Sequence, residues 1–184
     1  RNSMTAEVEA KNWFVMRDLK RANAKTPAYV ELSEAGFEIF TPMRWVISEV
    51  KGRRVRRQIP FMQDLLFAHA RKSELDPIVS RTPTLQFRYV KGKAFRDPLT
   101  VPANDMNRFI YAVKSTSNPQ YYSPDEITAG MIGRRVRIIG GALDSYEGFL
   151  LKVRGARRKR LLIGLSSILT MTVEVESEFI EFLN

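Results

Sequence analysis

The chain has 184 residues, of which 44% are hydrophobic, so it can bury the core of one domain or of two small ones. It contains no cysteine and a single histidine, His69, which excludes disulfides and thiolate metal sites and argues against zinc or histidine-based acid–base chemistry. Thirty basic residues against twenty acidic ones give a net charge of +10. Such an excess attracts a polyanion, usually nucleic acid, although a need for solubility also produces charged surfaces.

No stretch approaches the roughly 20 apolar residues that a membrane span needs, and the N-terminus lacks the pattern of a secretory signal. We therefore expect a cytoplasmic protein that does not contact a membrane.

The first 115 residues alternate between strand and helix patterns. Thr26 and Pro27 predict the start of the first helix, because a hydroxyl caps the first turn and proline needs no donor there. In chain order the patterns predict a strand at 13–17, a basic loop at 18–25, a helix ending at Gly36, a strand at 37–42, a hairpin at 43–60, a strand at 61–68, a helix at 73–79, a strand at 85–90 and a helix after Pro102. This order predicts an α+β fold with helices packed on an antiparallel sheet.

The hairpin at 43–60 carries dense positive charge near its predicted tip at 51–54. Five of the seven residues from Lys51 to Arg57 are basic. This density fits phosphate binding, but a charged hairpin edge can also serve only to prevent aggregation. The pattern leaves both interpretations open.

Residues 115–124 are polar, contain two prolines and lack periodicity, which is typical of a linker between domains. The sequence that follows contains only strand patterns. About five short strands in some fifty residues is the size of an SH3-like barrel.

The first of these strands belong to a glycine-containing motif. Alternating apolar residues at 136–139 and 149–153 flank the pair Gly140-Gly141 and an acidic-aromatic loop that ends at Gly148. We expect the glycines where the backbone turns sharply or adopts a positive φ angle. This arrangement resembles the KOW motif of NusG-type transcription elongation factors.

Other segments extend the resemblance to nearly the whole chain. Trp13-Phe14-Val15 resembles the opening strand of NGN domains, and residues 36–42 resemble the segment that leads into their hairpin. The resemblance implies an NGN domain at 11–115, a linker at 116–128 and an all-β SH3-like KOW barrel at 129–184. Residues 65–69, 82–89 and 98–102 are most similar to the UpxY family of bacterial antiterminators.

The resemblance implies a transcription antiterminator or elongation factor that binds RNA polymerase and suppresses pausing or termination, in the UpxY case on capsular polysaccharide operons. NGN domains dock on the clamp helices of the largest polymerase subunit through an apolar depression. By motif position, this depression includes Leu65, Phe67, Phe87 and Tyr89, although each can instead be a core residue of the sheet. Met62-Gln63-Asp64 departs from the usual proline- and aromatic-containing motif and puts the detailed contact in doubt.

Several basic or polar loop residues are candidates for contact with the non-template DNA strand or the nascent RNA, although each can be a solvated surface residue. Arg81 and Thr82 lie where NusG proteins place a loop against the non-template strand. The other candidates are Lys20, Arg21, Arg53, Arg54, Arg157 and Arg158.

Ile168 and Leu169 lie in the barrel loop through which NusG binds termination factor Rho or ribosomal protein S10. The loop sequence differs here, so the resemblance does not identify the partner.

The sequence offers no activated nucleophile, paired carboxylates or phosphate-binding loop, so we expect a protein that is not an enzyme and has no cofactor. We also expect it to be a monomer. The alternative is a ribosome-associated or general RNA-binding KOW protein, which is also basic. Such a protein has no need of an NGN domain, so the first 115 residues favour the polymerase-bound factor.

Overall fold

The computed structural model describes residues 8–21, 25–92, 97–117, 119–152, 158–176 and 179–184. In these parts of the chain it contains three α-helices and several antiparallel sheets, as the α+β pattern predicts. The elements are β1 Asn12–Asp18, α1 Ala28–Glu34, β2 Glu38–Phe40, β3 Met43–Val50, β4 Arg53–Pro60, β5 Leu65–Ala70, α2 Lys72–Arg81, β6 Leu85–Phe87, β7 Thr100–Val101, α3 Ala103–Lys114, β8 Gln120–Tyr122, β9 Ile132–Ile138, β10 Glu147–Leu151, β11 Lys159–Leu165, β12 Leu169–Val175 and β13 Ile180–Phe182.

The chain divides into two compact units. The first consists of Arg1–Pro42 and Met62–Ala103, and the second of Met43–Phe61 and Asn104–Asn184. The hairpin β3–β4 and almost all of α3 therefore group with the C-terminal strands.

The sheet of the first unit is built around β1. Its strand order is β2-β5-β1-β6, and β7 also pairs with β1; every pairing is antiparallel. One face of the sheet packs against α1 and α2 in a core that includes Phe14, Met16, Leu66 and Leu75. Burial of these apolar side chains is the main source of stability for this unit.

The hairpin β3–β4 is a two-stranded sheet with continuous antiparallel pairing from Met43↔Pro60 to Val50↔Arg53. Lys51 and Gly52 close it with φ angles of 51° and 77°. Two consecutive positive φ angles are the signature of a type I′ turn, whose twist matches that of the strands. The tip is thus shorter than the predicted 51–54, because Arg53 already pairs with Val50.

The second unit contains a six-stranded antiparallel sheet with the order β13-β9-β10-β11-β12-β8. Within the described residues no pairing joins β13 to β8, so the sheet has two open edges. Strand β8 lies in the stretch whose sequence is typical of a linker. It pairs with β12, with Met171 opposite Tyr121.

Tyr121 fixes β8 in the second unit through aromatic contacts. Its ring centroid lies 5.6 Å from that of Phe61 and 6.5 Å from that of Phe109. Burial raises the pKa of the Tyr121 hydroxyl, which has no hydrogen-bond partner among the described residues. The ring packing thus holds this strand despite the cost of an unsatisfied hydroxyl.

The glycines of the predicted motif have two different roles. Gly140 and Gly141 have φ angles of 80° and 73°, as expected for a sharp turn. Gly148 instead lies within β10, where a Cβ atom would come 2.3 Å from the carbonyl oxygen of Leu162. The close approach of β11, rather than an unusual backbone angle, requires glycine there.

Replacement of Gly148 by alanine should destabilise the protein by about 1–3 kcal/mol, because the neighbouring strand has to move to admit the methyl group. Urea unfolding monitored by circular dichroism measures this change. The matched control is Gly130→Ala, since a Cβ at that position meets no atom within 4 Å other than those of its neighbours in the chain. Equal stability of the two variants would contradict the close-packing explanation.

Candidate nucleic-acid interface

The basic loop after β1 is organised by Asp18. This side chain is only 5% exposed, and its Oδ2 accepts the backbone N–H of Ala28 at 2.8 Å while Oδ1 accepts that of Lys20 at 3.0 Å. The carboxylate therefore caps the first turn of α1, in place of the Thr26 hydroxyl that the sequence predicts. A negative charge also interacts favourably with a helix N-terminus.

Lys20 and Arg21 are in different environments. The Lys20 Nζ donates hydrogen bonds to the Thr26 carbonyl at 2.9 Å and to the Glu31 carboxylate at 2.7 Å. Arg21 is exposed, and none of the ion pairs in the described part of the chain involves it. Of the two predicted contacts, Arg21 is therefore the side chain free to bind a phosphate.

Arg81 and Thr82 lie at the end of α2. Arg81 is its last residue and is exposed, whereas Thr82 is half-buried and its N–H donates to the Val79 carbonyl at 3.3 Å. Thr82 thus shapes the turn, and Arg81 projects a positive charge from it.

An open hollow of about 560 Å³ lies next to the edge strand β6. The Arg17 Nε is 3.9 Å from the Asp64 carboxylate, a weak surface ion pair that leaves the guanidinium accessible. Two arginines, an amide and two aromatic rings suit a ligand that is both anionic and flat. The lining residues are Arg17, Val79, Gln86, Phe87, Arg88 and Tyr89.

The four residues predicted to contact polymerase do not form one exposed surface. Leu65 and Phe67 are 2% and 0% exposed, and they lie on the same face of the sheet as Arg17 and Val15, their partners in β1. Phe87 pairs with Met16, lies on the other face and is 5% exposed. Tyr89 is 43% exposed, and both Tyr89 and Phe87 line the hollow.

The β3–β4 hairpin concentrates positive charge. Residues 43–60 contain six basic side chains and one acidic one, a net of five positive charges out of the ten in the chain. Arg53 and Arg54 are exposed, and no ion pair in the described residues involves a basic residue of the hairpin. The hairpin therefore presents a concentrated positive charge to a polyanion.

Two of the three arginines of β9 are neutralised instead. Arg135 and Arg137 each lie 2.6 Å from the Glu147 carboxylate, and Arg137 also lies 3.4 Å from Glu181. The hydrogen bond from Arg137, followed by that from Arg135, holds the pKa of Glu147 below its usual value. The same contact with Glu147 raises the pKa of Arg137.

The predicted cationic turn before β11 is only partly described. Arg158 is exposed, and its guanidinium donates to the Glu174 carboxylate at 2.9 Å. Arg157 lies outside the described residues.

Ile168 and Leu169, the predicted partner contacts, are 6% and 1% exposed. They lie where β11 turns into β12, and the Ile168 N–H donates to the Leu165 carbonyl at 3.2 Å. The two side chains anchor the turn, so Ser166 and Ser167 form its exposed surface.

The described ranges contain neither a candidate metal site nor a helix that could span a membrane. No group of three or more histidine, cysteine, aspartate or glutamate residues there could hold a metal ion. None of the helices there has the length and apolar character needed to cross a membrane.

These features define a basic α+β protein of two units with an exposed cationic hairpin. A family model described as "Transcription termination factor nusG" matches residues 11–110, more than half of the chain. The chain therefore belongs to the NusG family, whose members are transcription factors that bind RNA polymerase and are not enzymes. A solved structure of NusG from Thermotoga maritima, described by its domain interaction, is similar at 14% identity over 95% of this chain and 98% of that one, with a TM-score of 0.47. A search of curated proteins found no match.

Asp18→Ala should lower the free energy of unfolding by about 1–3 kcal/mol, because it leaves a buried helix N–H without an acceptor. Thermal and urea unfolding measure the loss. Asp64→Ala is the control, since it breaks only the exposed ion pair with Arg17 and should change stability by less than about 0.5 kcal/mol. A smaller loss for Asp18→Ala than for Asp64→Ala would show that the cap is not important.

Glu147→Gln should destabilise the protein at neutral pH and have less effect in acid. The folded-state pKa of Glu147 is lowered, so its contribution is fully present above the ordinary glutamate pKa of 4.5 and is lost as pH falls through the lowered value. We expect the difference in Tm between wild type and variant to shrink steadily below pH 4.5. A difference that stays constant with pH is the contrary result.

Proposed function

We propose that this protein is a transcription elongation factor that binds RNA polymerase and suppresses pausing or termination. The observation that carries the proposal is the NusG family match across residues 11–110. In this proposal the NGN domain spans 11–115, a linker spans 116–128 and a KOW barrel spans 129–184. The turn at Gly140-Gly141 between two antiparallel strands supports the KOW assignment.

We further propose that the protein is an antiterminator of the UpxY type that acts on capsular polysaccharide operons. The support is the similarity of residues 65–69 and 82–89 to that family. Such a factor works in the cytoplasm as a monomer, without a cofactor and without contact with a membrane.

The proposed polymerase contact is with the clamp helices of the largest subunit. Tyr89 is the accessible member of the four predicted contacts, and it borders the hollow together with Phe87. Leu65 and Phe67 are buried, so in this proposal they support the docking surface from within the sheet. Exposed tyrosines are frequent energetic centres of protein interfaces.

The proposed nucleic-acid contact uses cations that have no ion-pair partner among the described residues. Arg21 and Arg81 suit the non-template DNA strand, while Lys20 and Thr82 maintain the loops that present them. Arg53 and Arg54 provide a second cationic surface on the hairpin, for DNA or nascent RNA. Phosphate contacts of this kind give affinity without sequence specificity.

The turn between β11 and β12 is the proposed contact for a second partner, with ribosomal protein S10 or Rho as the candidates. The proposal is supported by the position of Ile168 and Leu169, which matches the partner-binding loop of NusG proteins. Both side chains are buried beneath the turn. A partner bound to this surface contacts the exposed residues Ser166 and Ser167.

Transcription in vitro tests the proposed function directly. Added protein should increase readthrough at a terminator placed downstream of a capsular operon leader, and it should co-purify with RNA polymerase subunits. Tyr89→Ala should raise the concentration needed for half-maximal readthrough about tenfold, the loss expected for an interface tyrosine.

Tyr111→Ala is the matched control, because Tyr111 is a similarly exposed aromatic residue outside the proposed surface, at 50% against 43% for Tyr89. It should leave readthrough unchanged. Unchanged termination at saturating protein, together with capture of ribosomal proteins and no polymerase, would favour the alternative of a ribosome-associated RNA-binding protein.

A further inference from the structure

The two faces of the β3–β4 hairpin differ in composition, because only one of them carries an aromatic side chain. Residues directly opposite each other in an antiparallel pair lie on the same face. On the other face Val46, Ser48 and Ile59 are half-buried, and five residues are exposed: Arg44, Val50, Arg53, Val55 and Arg57. The pairings place six exposed residues on what we call the open face: Trp45, Ile47, Glu49, Arg54, Arg56 and Gln58.

An aromatic ring and a guanidinium are joined on the open face. The Arg56 guanidinium carbon lies 4.9 Å from the centroid of the Trp45 ring, within the range of a cation–π contact. Trp45 is 44% exposed, and Ile47 beside it is 70% exposed. The guanidinium lies over one side of the indole, and the exposed part of the ring presents an apolar surface next to this positive charge.

The surroundings of this pair favour a polyanion as the ligand. The hairpin carries half of the net charge of the chain on 18 residues, and no ion pair in the described residues neutralises its cations. A protein partner with apolar chemistry alone would gain nothing from Arg54 and Arg56, since desolvating unpaired charges is costly. Nucleic acid can use both the ring and the charges.

We propose that the open face is a stacking site for single-stranded nucleic acid, in which a base stacks on Trp45 and the flanking phosphates bind Arg54 and Arg56. Only an unpaired base can offer its flat face to an indole, whereas a duplex could use the charges alone. Gln58, opposite Trp45, supplies an amide for the edge of the stacked base. The inference rests on the proposed function only in taking nucleic acid as the partner.

Tryptophan fluorescence tests the site in the free protein, without polymerase. The chain has two tryptophans, and Trp13 is 2% exposed, so quenching by a ligand reports on Trp45. We expect oligo(dT) or oligo(U) fifteen-mers to quench the emission, and a fifteen-base-pair duplex to bind without quenching. A comparison of the two single strands shows whether DNA or RNA binds more tightly.

Variants separate stacking from charge. Trp45→Ala should weaken single-strand binding about tenfold or more, as for a stacked base, and leave the slope of log affinity against log salt unchanged. The double change Arg54→Gln and Arg56→Gln should reduce that slope. Trp45→Phe retains a ring and should recover part of the affinity, which guards against a folding defect in the alanine variant.

Val50→Ala is the matched control, because Val50 is 51% exposed but lies on the opposite face of the hairpin. It should bind as wild type does. Tight single-strand binding with no quenching, or unchanged affinity in folded Trp45→Ala, overturns the site. Either result leaves the polymerase assay unaffected, so failure of this inference and failure of the proposed function are distinguishable.

Discussion

The pairing of β1 along both of its edges is the constraint on which the first unit depends. β5 occupies one edge, and β6 and β7 share the other, so the backbone groups of β1 are satisfied within the sheet. The strand ends at Asp18, whose buried carboxylate fixes both the following loop and the first turn of α1. Arg17, one residue earlier, points to the other face and lines the hollow. Structural support and candidate chemistry thus come from adjacent residues of one strand, because successive side chains point to opposite faces.

The distribution of charge separates structural cations from those free to bind a ligand. Lys20, Arg135 and Arg137 have carboxylate partners within 3 Å, so much of their charge is already neutralised. The hairpin cations have none among the described residues. Total charge therefore says only that the protein is basic, whereas the pairing pattern indicates where a polyanion would bind.

Much of the fold could be predicted from the sequence because alternation and helical spacing reflect local geometry. The type I′ turn at Lys51-Gly52 and the turn at Gly140-Gly141 are local features and were visible as glycine signals. The requirement for glycine at position 148 could not be predicted, because it depends on the carbonyl of Leu162, fourteen residues away in the sequence. The same holds for the cap of α1, which Asp18 supplies from ten residues upstream. Alternation correctly paired Leu65 with Phe67 on one face, but it could not show that both are covered or that Phe87 lies on the opposite face.

The composition of the hairpin is difficult to explain by stability alone. A two-stranded sheet is marginally stable in water, and neighbouring arginines that lack counter-charges repel one another. A charged edge does discourage aggregation, but that purpose does not require an exposed tryptophan beside an isoleucine that is 70% exposed. Single exposed apolar residues are common on protein surfaces, so Trp45 or Ile47 alone would mean little. Their position on one face, with Arg56 against the indole, combines apolar surface and positive charge in a way that favours nucleic-acid binding over a purely protective role.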